Sequence, residues 1–406
     1  VSRALARRVT AALGVQVFFL MLGLGVIAPV LPLYARSFGI SVTAVGFLVT
    51  LFGLARLGAD LPTGHLAERI GRRPLLVGGA LAAAAGAFGF AYARTYPELL
   101  LWRLLQGVGS AATTTAAAIA VTELAPPDER GRALSLYQGT LLLGAGAGPV
   151  LGGVLATRLG PRASFLVLGA LALVAALWAL RLPETRPRTP TPTPAPVGHA
   201  APARDPRPLE AWRTAAFWTV SLFTLTIFAS RSGGQTTLLP LFGADRLGLD
   251  TATIGLALTV LMAFNVGALY LSGLVSDRWG RTRAIVPGGV LTALALAALP
   301  SATGTATFLI WAACLGLGIG IAGPAPAAYI ADLAPPHRLG RTMGLYRTIA
   351  DLGLMGGPVL LGWISEHLNY RAGFAANAAA VAAATLLVAV GARERDRAAR
   401  GPGGRP

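Results

Sequence analysis

The sequence predicts an all-α membrane protein in which twelve transmembrane helices form two pseudo-symmetric six-helix bundles. One observation is composition: 54% of the 406 residues are hydrophobic and only 13% are charged, about half the charged fraction of an average soluble domain. The other is an internal repeat at an offset of 209 residues, the distance from Gly71-Arg72 to Gly280-Arg281. A duplicated set of apolar helices predicts two bundles of similar structure.

Each element is an apolar run long enough to cross the bilayer core as a helix, which takes about 20 residues. Numbered in chain order, spans 1 to 6 lie near 10–34, 44–66, 74–94, 97–123, 133–157 and 162–182. Spans 7 to 12 lie near 214–242, 251–275, 283–301, 305–331, 341–365 and 370–391. The first run is too long for a signal-peptide core, so we expect it to be a retained span.

These spans divide the chain into three regions. Residues 1–182 are predicted to form the N-terminal bundle, and residues 214–406 the C-terminal bundle with a basic tail. Residues 183–213 separate them, and nine prolines lie between 183 and 208. Such a composition forms no core and predicts a semi-extended linker on the cytoplasmic side.

The distribution of arginine predicts the orientation of the chain. Of the 34 basic residues, all of them arginine, 24 lie in the termini and in the loops on the same side as the termini, whereas 6 lie on the opposite side. The positive-inside rule therefore places both termini in the cytoplasm, and we expect a bacterial inner membrane. The net charge of +17 does not indicate nucleic-acid binding, since the arginines flank apolar runs.

Metal and cofactor sites are not expected. The single cysteine, Cys314, lies in an apolar run, which leaves no disulfide framework and no cysteine metal site. The four histidines form no cluster in the sequence. We expect a monomer in the lipid bilayer whose partners are a small-molecule substrate and protons.

The loops after spans 2 and 8 carry the same short pattern. Its glycines allow a tight turn, its acid can lie at a helix N-terminus, and its arginines can pair with acids at neighbouring helix ends. The first copy contains Gly64, Glu68, Arg69, Gly71 and Arg72, and the second Gly273, Asp277, Arg278, Gly280 and Arg281. Charged residues at the neighbouring helix ends are Glu123 and Arg132, with Asp332 and Arg341 as their copies.

These loops resemble the signature loop of the major facilitator superfamily, with Glu68 where aspartate is usual. In span 4, Arg103, Gln106, Gly107 and Gly109 resemble the second motif of that family. In span 5 the pattern is similar to that of the antiporter branch, the twelve-span drug:proton exporters; it consists of Gly144, Gly148, Pro149, Gly152 and Gly153. The resemblance covers all but the linker and tails. It implies the major facilitator fold, alternating access and proton coupling in which Arg103 takes part.

Ionisable residues inside spans are costly and are therefore functional candidates. Span 2 contains Arg56 and Asp60, and span 11 contains Arg347 and Asp351. The family fold implies that these two helices are antiparallel neighbours across the interface between the halves. The hypothesis is a crossed pairing, Arg56 with Asp351 and Asp60 with Arg347, that holds the inner gate until Asp351 is protonated. The alternative is one pair within each helix at spacing i,i+4.

Polar side chains inside other spans are candidates for a substrate cavity: Gln138, Arg231, Gln235, Asn265 and Tyr329. Arg231 begins the segment Arg231-Ser232-Gly233-Gly234-Gln235, a weak point of span 7 where a helix can break and expose polar groups to a cavity. Four arginines and two aspartates lie inside spans, which favours neutral or anionic substrates over cations.

These features predict a secondary active transporter and not an enzyme. The function predicted first is proton-coupled export of small amphipathic organic compounds, of the multidrug efflux type. The alternatives are a carrier of an anionic or neutral metabolite on the same fold, and a lipid translocator.

Overall fold

The computed structural model describes residues 3–125, 130–184, 211–334 and 339–391. Most of the predicted linker and the basic tail lie outside these residues, as do the surroundings of Gly273 and the side chains of Asp277 and Arg278. The elements within the described part of the chain are helices, without β-strands. The predicted all-α fold class is confirmed.

The N-terminal half contains the first six predicted spans. Its helices are α1 (Arg3–Ile27), α2 (Leu31–Arg36), α3 (Val42–Ile70), α4 (Arg72–Tyr92), α5 (Tyr96–Leu124), α6 (Arg130–Leu159) and α7 (Pro161–Ala179). Helices α1 and α3 to α7 each contain a segment long and apolar enough to cross a membrane.

The C-terminal half repeats this order. It contains a 3-10 turn (Ala211–Arg213), α8 (Ala215–Ala229), a π-helix (Ser230–Leu238), α9 (Leu239–Leu247), α10 (Thr251–Trp279), α11 (Thr282–Ala298), a second 3-10 turn (Leu299–Ser301), α12 (Thr305–Ala322), α13 (Ala325–Leu333), α14 (Leu339–His367) and α15 (Tyr370–Gly391). Eleven helical segments in the described residues are long and apolar enough to span a membrane. Span 7 is not one of the eleven because it is divided into α8, the π-helix and α9. Taken together, these three segments are consistent with a twelfth span.

The weak point predicted in span 7 is a departure from α-helical geometry and not an open break. The chain remains helical from α8 to α9 through nine residues of π-helix. A π-helix keeps backbone amides and carbonyls bonded to each other while widening the turn. In a membrane this costs less than an open break, which would leave polar backbone groups without partners.

Two other spans are interrupted where continuous helices were predicted. Span 1 ends at Ile27 and resumes as α2 at Leu31, because Pro29 and Pro32 cannot donate backbone hydrogen bonds. Span 10 is interrupted at Gly323, whose φ of +27° lies outside the helical region, and Pro324 follows. Both interruptions are followed by short helices, so each segment remains helical on both sides of its proline.

The two halves have the same pattern of helix packing. In the N-terminal half, α1 packs on α6 and α7, α4 on α5 and α7, and α3 on α5. In the C-terminal half, α8 packs on α14 and α15, α11 on α12 and α15, and α10 on α12. Large apolar side chains on the outside are exposed, as at Leu177, Leu294 and Leu386, which is appropriate where lipid replaces water. The repeat in the sequence is therefore a repeat in the structure.

Candidate functional site

The halves meet through two equivalent helix pairs, α3 with α14 and α6 with α10. A Cβ atom at Gly46 would collide with the carbonyl of Pro358, and a Cβ atom at Gly255 with the carbonyl of Pro149. These four residues are related by the 209-residue repeat, so the two contacts are symmetry equivalents. Only glycine allows the backbones to approach so closely.

Hydrogen bonds across the halves accompany these glycine contacts. Thr50 Oγ1 donates to the carbonyl of Met355 at 2.5 Å, and its copy Thr259 accepts from the amide of Val150 at 3.1 Å. Nearer the helix ends, the Glu366 carboxylate accepts from Thr43 Oγ1 at 2.5 Å. We call the side of the bundle at which α3 and α10 begin the far side. In this structure the far side is closed.

The N-termini of α3 and α10 are capped by residues of the opposite half. Glu366 accepts a hydrogen bond from the amide of Thr43 at 3.0 Å, and Thr157 accepts from the amide of Ala252 at 3.1 Å. Thr157 and Glu366 are copies in the repeat. At the N-terminus of α10, the amide of Thr253 donates to Asp250 at 2.9 Å. Hydrogen bonds from Thr253 lower the pKa of Asp250. Free amides at a helix N-terminus favour such acceptors.

The halves diverge toward the opposite end, which we call the terminal side because α1 begins and α15 ends there. Gly64 follows Gly46 by about five helical turns and therefore lies on the same face of α3, yet a Cβ atom there would meet nothing within 4 Å. The face of α3 that touches α14 at Gly46 is therefore open about five turns later. A V-shaped space results, and it opens on the side that the arginine distribution assigns to the cytoplasm.

A cavity of about 560 Å³ lies inside this space, a size that suits a drug-sized ligand. Both halves line it, through α3 and α6 on one side and the π-helix, α10 and α14 on the other. Five of its lining residues are charged: Arg56, Asp60, Arg231, Arg347 and Asp351. Most of the others are apolar: Val49, Phe52, Leu57, Leu142, Leu261, Met262, Leu354 and Met355.

The four charged residues of α3 and α14 share the cavity without forming ion pairs. Of the ion pairs within 4.0 Å in the described residues, none involves Arg56, Asp60, Arg347 or Asp351. The Arg56 guanidinium lies 3.5 Å from Ser110 Oγ and 3.4 Å from Thr114 Oγ1, and Asp60 accepts from Thr115 Oγ1 at 2.7 Å. Neither the crossed pairing nor the pairing within each helix is formed in this conformation.

Arg103 is not among the residues that line this cavity. It is 7% exposed and donates from Nη1 to Gln106 Oε1 at 2.8 Å. Its guanidinium carbon lies 4.3 Å from the centre of the Phe52 ring, a cation-π distance. Since Phe52 does line the cavity, Arg103 lies behind it and contacts the cavity through that ring.

The predicted cavity residues divide into two groups. Arg231, Gln235 and Asn265 line the cavity together. Gln138 is exposed on α6 and Tyr329 is a core residue of α13, 9% exposed; neither is among the lining residues. Both groups consist of polar residues inside predicted spans, so the sequence did not distinguish the residues that line the cavity from those that do not.

The glycines of the antiporter-like motif pack against two different helices. Cβ atoms at Gly144, Gly148 and Gly152 would collide with the backbone of α1, and one at Gly153 with the backbone of Thr251 on α10. The first three are spaced at i,i+4 and therefore share one face of α6. The motif allows close packing within its own bundle and, through Pro149 and Gly153, across the interface.

The signature loops join their arginines to the predicted acids. Arg72 forms an ion pair with Glu123, and its copy Arg281 pairs with Asp332 at 3.2 Å. Gly71 and Gly280 have φ of +98° and +100°, a region that glycine adopts without steric cost. Arg132 is exposed, whereas the Arg341 guanidinium lies 4.9 Å from the Trp212 ring centre.

One acid near these loops was missed by sequence reasoning. Glu68 is exposed, and Glu184 instead accepts from the amides of Arg72 at 2.9 Å and Arg73 at 3.1 Å. A carboxylate at the first amides of α4 satisfies donors that the helix leaves unpaired. Glu184 follows span 6, more than a hundred residues away in the chain, and no local pattern indicated the contact.

The two ion pairs differ in burial, which leads to a testable difference. The Arg72 and Glu123 side chains are 7% and 28% exposed, whereas Arg281 and Asp332 are 28% and 63% exposed. Glu123→Gln leaves a buried guanidinium without its carboxylate and is expected to cost about 3 kcal/mol. Asp332→Asn is expected to cost less than about 1 kcal/mol. The midpoint of thermal unfolding in detergent measures the destabilisation by each variant. Equal destabilisation would contradict the larger contribution of the buried pair.

The chain is similar to known transporters over most of its length. The model of the Major Facilitator Superfamily matches residues 13–305 and 234–406. The quinolone resistance protein NorA of Staphylococcus aureus is 23% identical over 86% of this chain and 87% of its own length. The tetracycline resistance protein, class B, of Escherichia coli is 26% identical over 85% and 86%.

The fold is also similar to that of solved transporter structures. A bacterial homologue of the human lysosomal transporter Spinster, solved in an inward-facing and unoccupied conformation, superposes with a TM-score of 0.76. The match covers 98% of each chain at 18% identity, so the likeness is one of fold. With the repeated bundles and the paired signature loops, these matches identify the chain as a multi-pass transporter that belongs to the Major Facilitator Superfamily.

Proposed function

We propose that this protein exports small amphipathic organic compounds in exchange for protons, by alternating access. The observation that carries the proposal is the cavity between the halves, which is lined by both membrane-embedded aspartates and closed on the far side by symmetric backbone contacts. The names of the two resistance proteins to which the chain is similar support drug-like substrates. The proposed site is a bacterial plasma membrane, with a monomer whose termini are cytoplasmic.

Asp351 is the proposed proton carrier. It lies on α14 within electrostatic reach of Arg347, Asp60 and Arg56, and it forms no ion pair while the terminal side is open. Closing that side would bring Arg56 toward Asp351 and Arg347 toward Asp60, and these contacts favour the charged carboxylate. A proton on Asp351 would therefore weaken the closed terminal side. Arg103 is proposed to take part through Phe52.

The contacts inside each bundle have a mechanical role in this proposal. The ion pairs of Arg72 with Glu123 and of Arg281 with Asp332 join helix ends inside each half. The glycine face of α6 locks it to α1. Each half can then tilt as a unit, and the pairs of α3 with α14 and of α6 with α10 separate and close.

Proteoliposomes test the proposal directly. With an imposed pH gradient, the purified protein is expected to move at least one member of a panel that contains a quinolone, a tetracycline and a cationic dye, and to move protons in the opposite direction. Asp351→Asn and Arg103→Ala are each expected to lower gradient-driven flux about tenfold or more, because coupling requires a titrating carboxylate and its positioned neighbours. Arg162→Gln removes a charge at an exposed position and serves as the matched control. Wild-type flux that is indifferent to the pH gradient would mean a facilitator.

A carrier of an anionic or neutral metabolite is the second candidate, because three arginines and two aspartates line the cavity. Transport of a carboxylated compound together with exclusion of every cationic one would favour this candidate. Transport of cationic dyes would favour the first.

A further inference from the structure

The π-helical segment of span 7 presents hydrogen-bond donors to the cavity for which the described residues provide no acceptor. We propose that Arg231 and Gln235 form an anion-binding subsite, which takes the carboxylate or a comparable small anionic group of an amphipathic substrate. The inference rests on the proposed transport function and adds to it the chemical class of the substrate.

Arg231 is the first part of the subsite. It lines the cavity, and within the described residues no carboxylate lies within 4.0 Å of it. Its guanidinium carbon lies 5.8 Å from the centre of the Phe228 ring. An uncompensated guanidinium at membrane depth is costly, and a bound anion would supply the missing acceptor through charge-assisted hydrogen bonds.

Gln235 is the second part, and it lies four residues further along the same helical segment. It lines the cavity and is 8% exposed, yet its Nε2 atom has no hydrogen-bond partner among the residues that the structure describes. Buried amide donors are rarely left unpaired unless a ligand or water completes them. Both side chains belong to the π-helix, a feature that occurs often at functional sites because it changes which residues face inward.

The charge of the cavity agrees with a single anion. Three arginines and two aspartates line it. Asp351 interacts electrostatically with Arg347, Asp60 and Arg56, and these four residues together form a neutral group on α3 and α14. Arg231 is the remaining charge, and it leaves the cavity with a net charge of +1, which one monovalent anion would neutralise.

The rest of the cavity suits the apolar part of such a substrate. Leu261 and Met262 on α10 and Leu354 and Met355 on α14 line it beside the π-helix. Methionine and leucine side chains adapt to ligands of different shape. Asn265, 5% exposed and also in the lining, adds a polar amide from α10. The predicted ligand is therefore an aryl or alkyl compound with one carboxylate.

A pair of probes that differ only in charge tests the subsite. Binding of N-dansyl-leucine and of its methyl ester is measured with purified full-length protein in phosphatidylcholine nanodiscs at pH 7, with empty nanodiscs subtracted. The wild type is expected to bind the acid about tenfold more tightly than the ester, a difference of about 1.4 kcal/mol. Arg231→Gln is expected to remove this preference, and Arg231→Lys to keep part of it. Gln235→Leu is expected to reduce it.

The control is Arg162→Gln, which removes the same charge from an exposed position outside the cavity and is expected to keep the preference. Size-exclusion elution and thermal unfolding show whether each variant is folded, and Arg231→Lys provides a folded comparison if Arg231→Gln is unstable. Equal binding of acid and ester by the wild type, no saturable binding of the acid, or a preference retained in Arg231→Gln would overturn the subsite. The assay uses no pH gradient, so selective binding without gradient-driven transport would refute the proposed export and leave the subsite standing.

Discussion

Valine at Gly46 or at Gly255 is expected to lower transport more than tenfold. Each glycine lies against the backbone of the opposite half, at Pro358 and at Pro149, where even one Cβ atom would collide. Overpacking of this kind costs about 2 kcal/mol. Because the cost applies only when the far side is closed, it would shift the ratio of the two conformations about thirtyfold toward a far side that is open. The two sites are copies in the repeat, so the effects should be similar.

Spin-label distances measured across the far side check this prediction, together with substrate flux. Gly78→Val is the matched control, since a Cβ atom at that exposed helical glycine would meet nothing within 4 Å. Unchanged distances and flux in Gly46→Val and Gly255→Val would refute closure at these glycines.

Reversing the charges of Arg56 and Asp351 together is expected to restore much of the transport that each reversal removes. Arg56→Asp alone places three acids among the four charges of α3 and α14, and Asp351→Arg alone places three arginines there. Either single change is expected to lower flux at least tenfold, because like charges cannot be brought together at membrane depth. The double swap restores one opposite pair across the halves. Flux in proteoliposomes under a pH gradient provides the measurement.

The double swap within α3, Arg56→Asp with Asp60→Arg, separates the two pairing hypotheses. It preserves a pair at i,i+4 but places like charges across the halves, so rescue by this swap would support pairing within each helix. A crossed double variant that transports no better than the worse of its single variants would refute the crossed pairing. The reciprocal swap at Asp60 and Arg347 is expected to behave as the first crossed swap does.

Sequence reasoning went furthest where a pattern occurs twice. The copies Gly71-Arg72 and Gly280-Arg281 predicted loops that pair with neighbouring helix ends, and both pairs are present. The repeat also contained Gly46 with Gly255 and Thr50 with Thr259, and these mark the interface between the halves. That signal was in the sequence, but glycine is so frequent in membrane helices that the contact could not be distinguished from ordinary packing.

Single polar residues were predicted less well. Arg231, Gln235 and Asn265 line the cavity, whereas Gln138 and Tyr329 do not, although all five lie at apolar-helix positions. The direction in which a side chain points depends on the rotation of its helix in the bundle. The π-helix changes that rotation in span 7, and no periodicity in the sequence marks where it begins.

The sequence by itself determined the class of this protein, the limits of most of its spans and the duplication of its halves. These follow from the length of the apolar runs, the distribution of arginine and the repeated residues, all of which can be read directly along the chain. Tertiary structure alone decided that the far side is closed, that Arg231 faces a shared cavity from a continuous helix, and that Glu184 caps α4. Each depends on contacts between residues far apart in the chain, where the fit of two backbones decides which polar groups find partners.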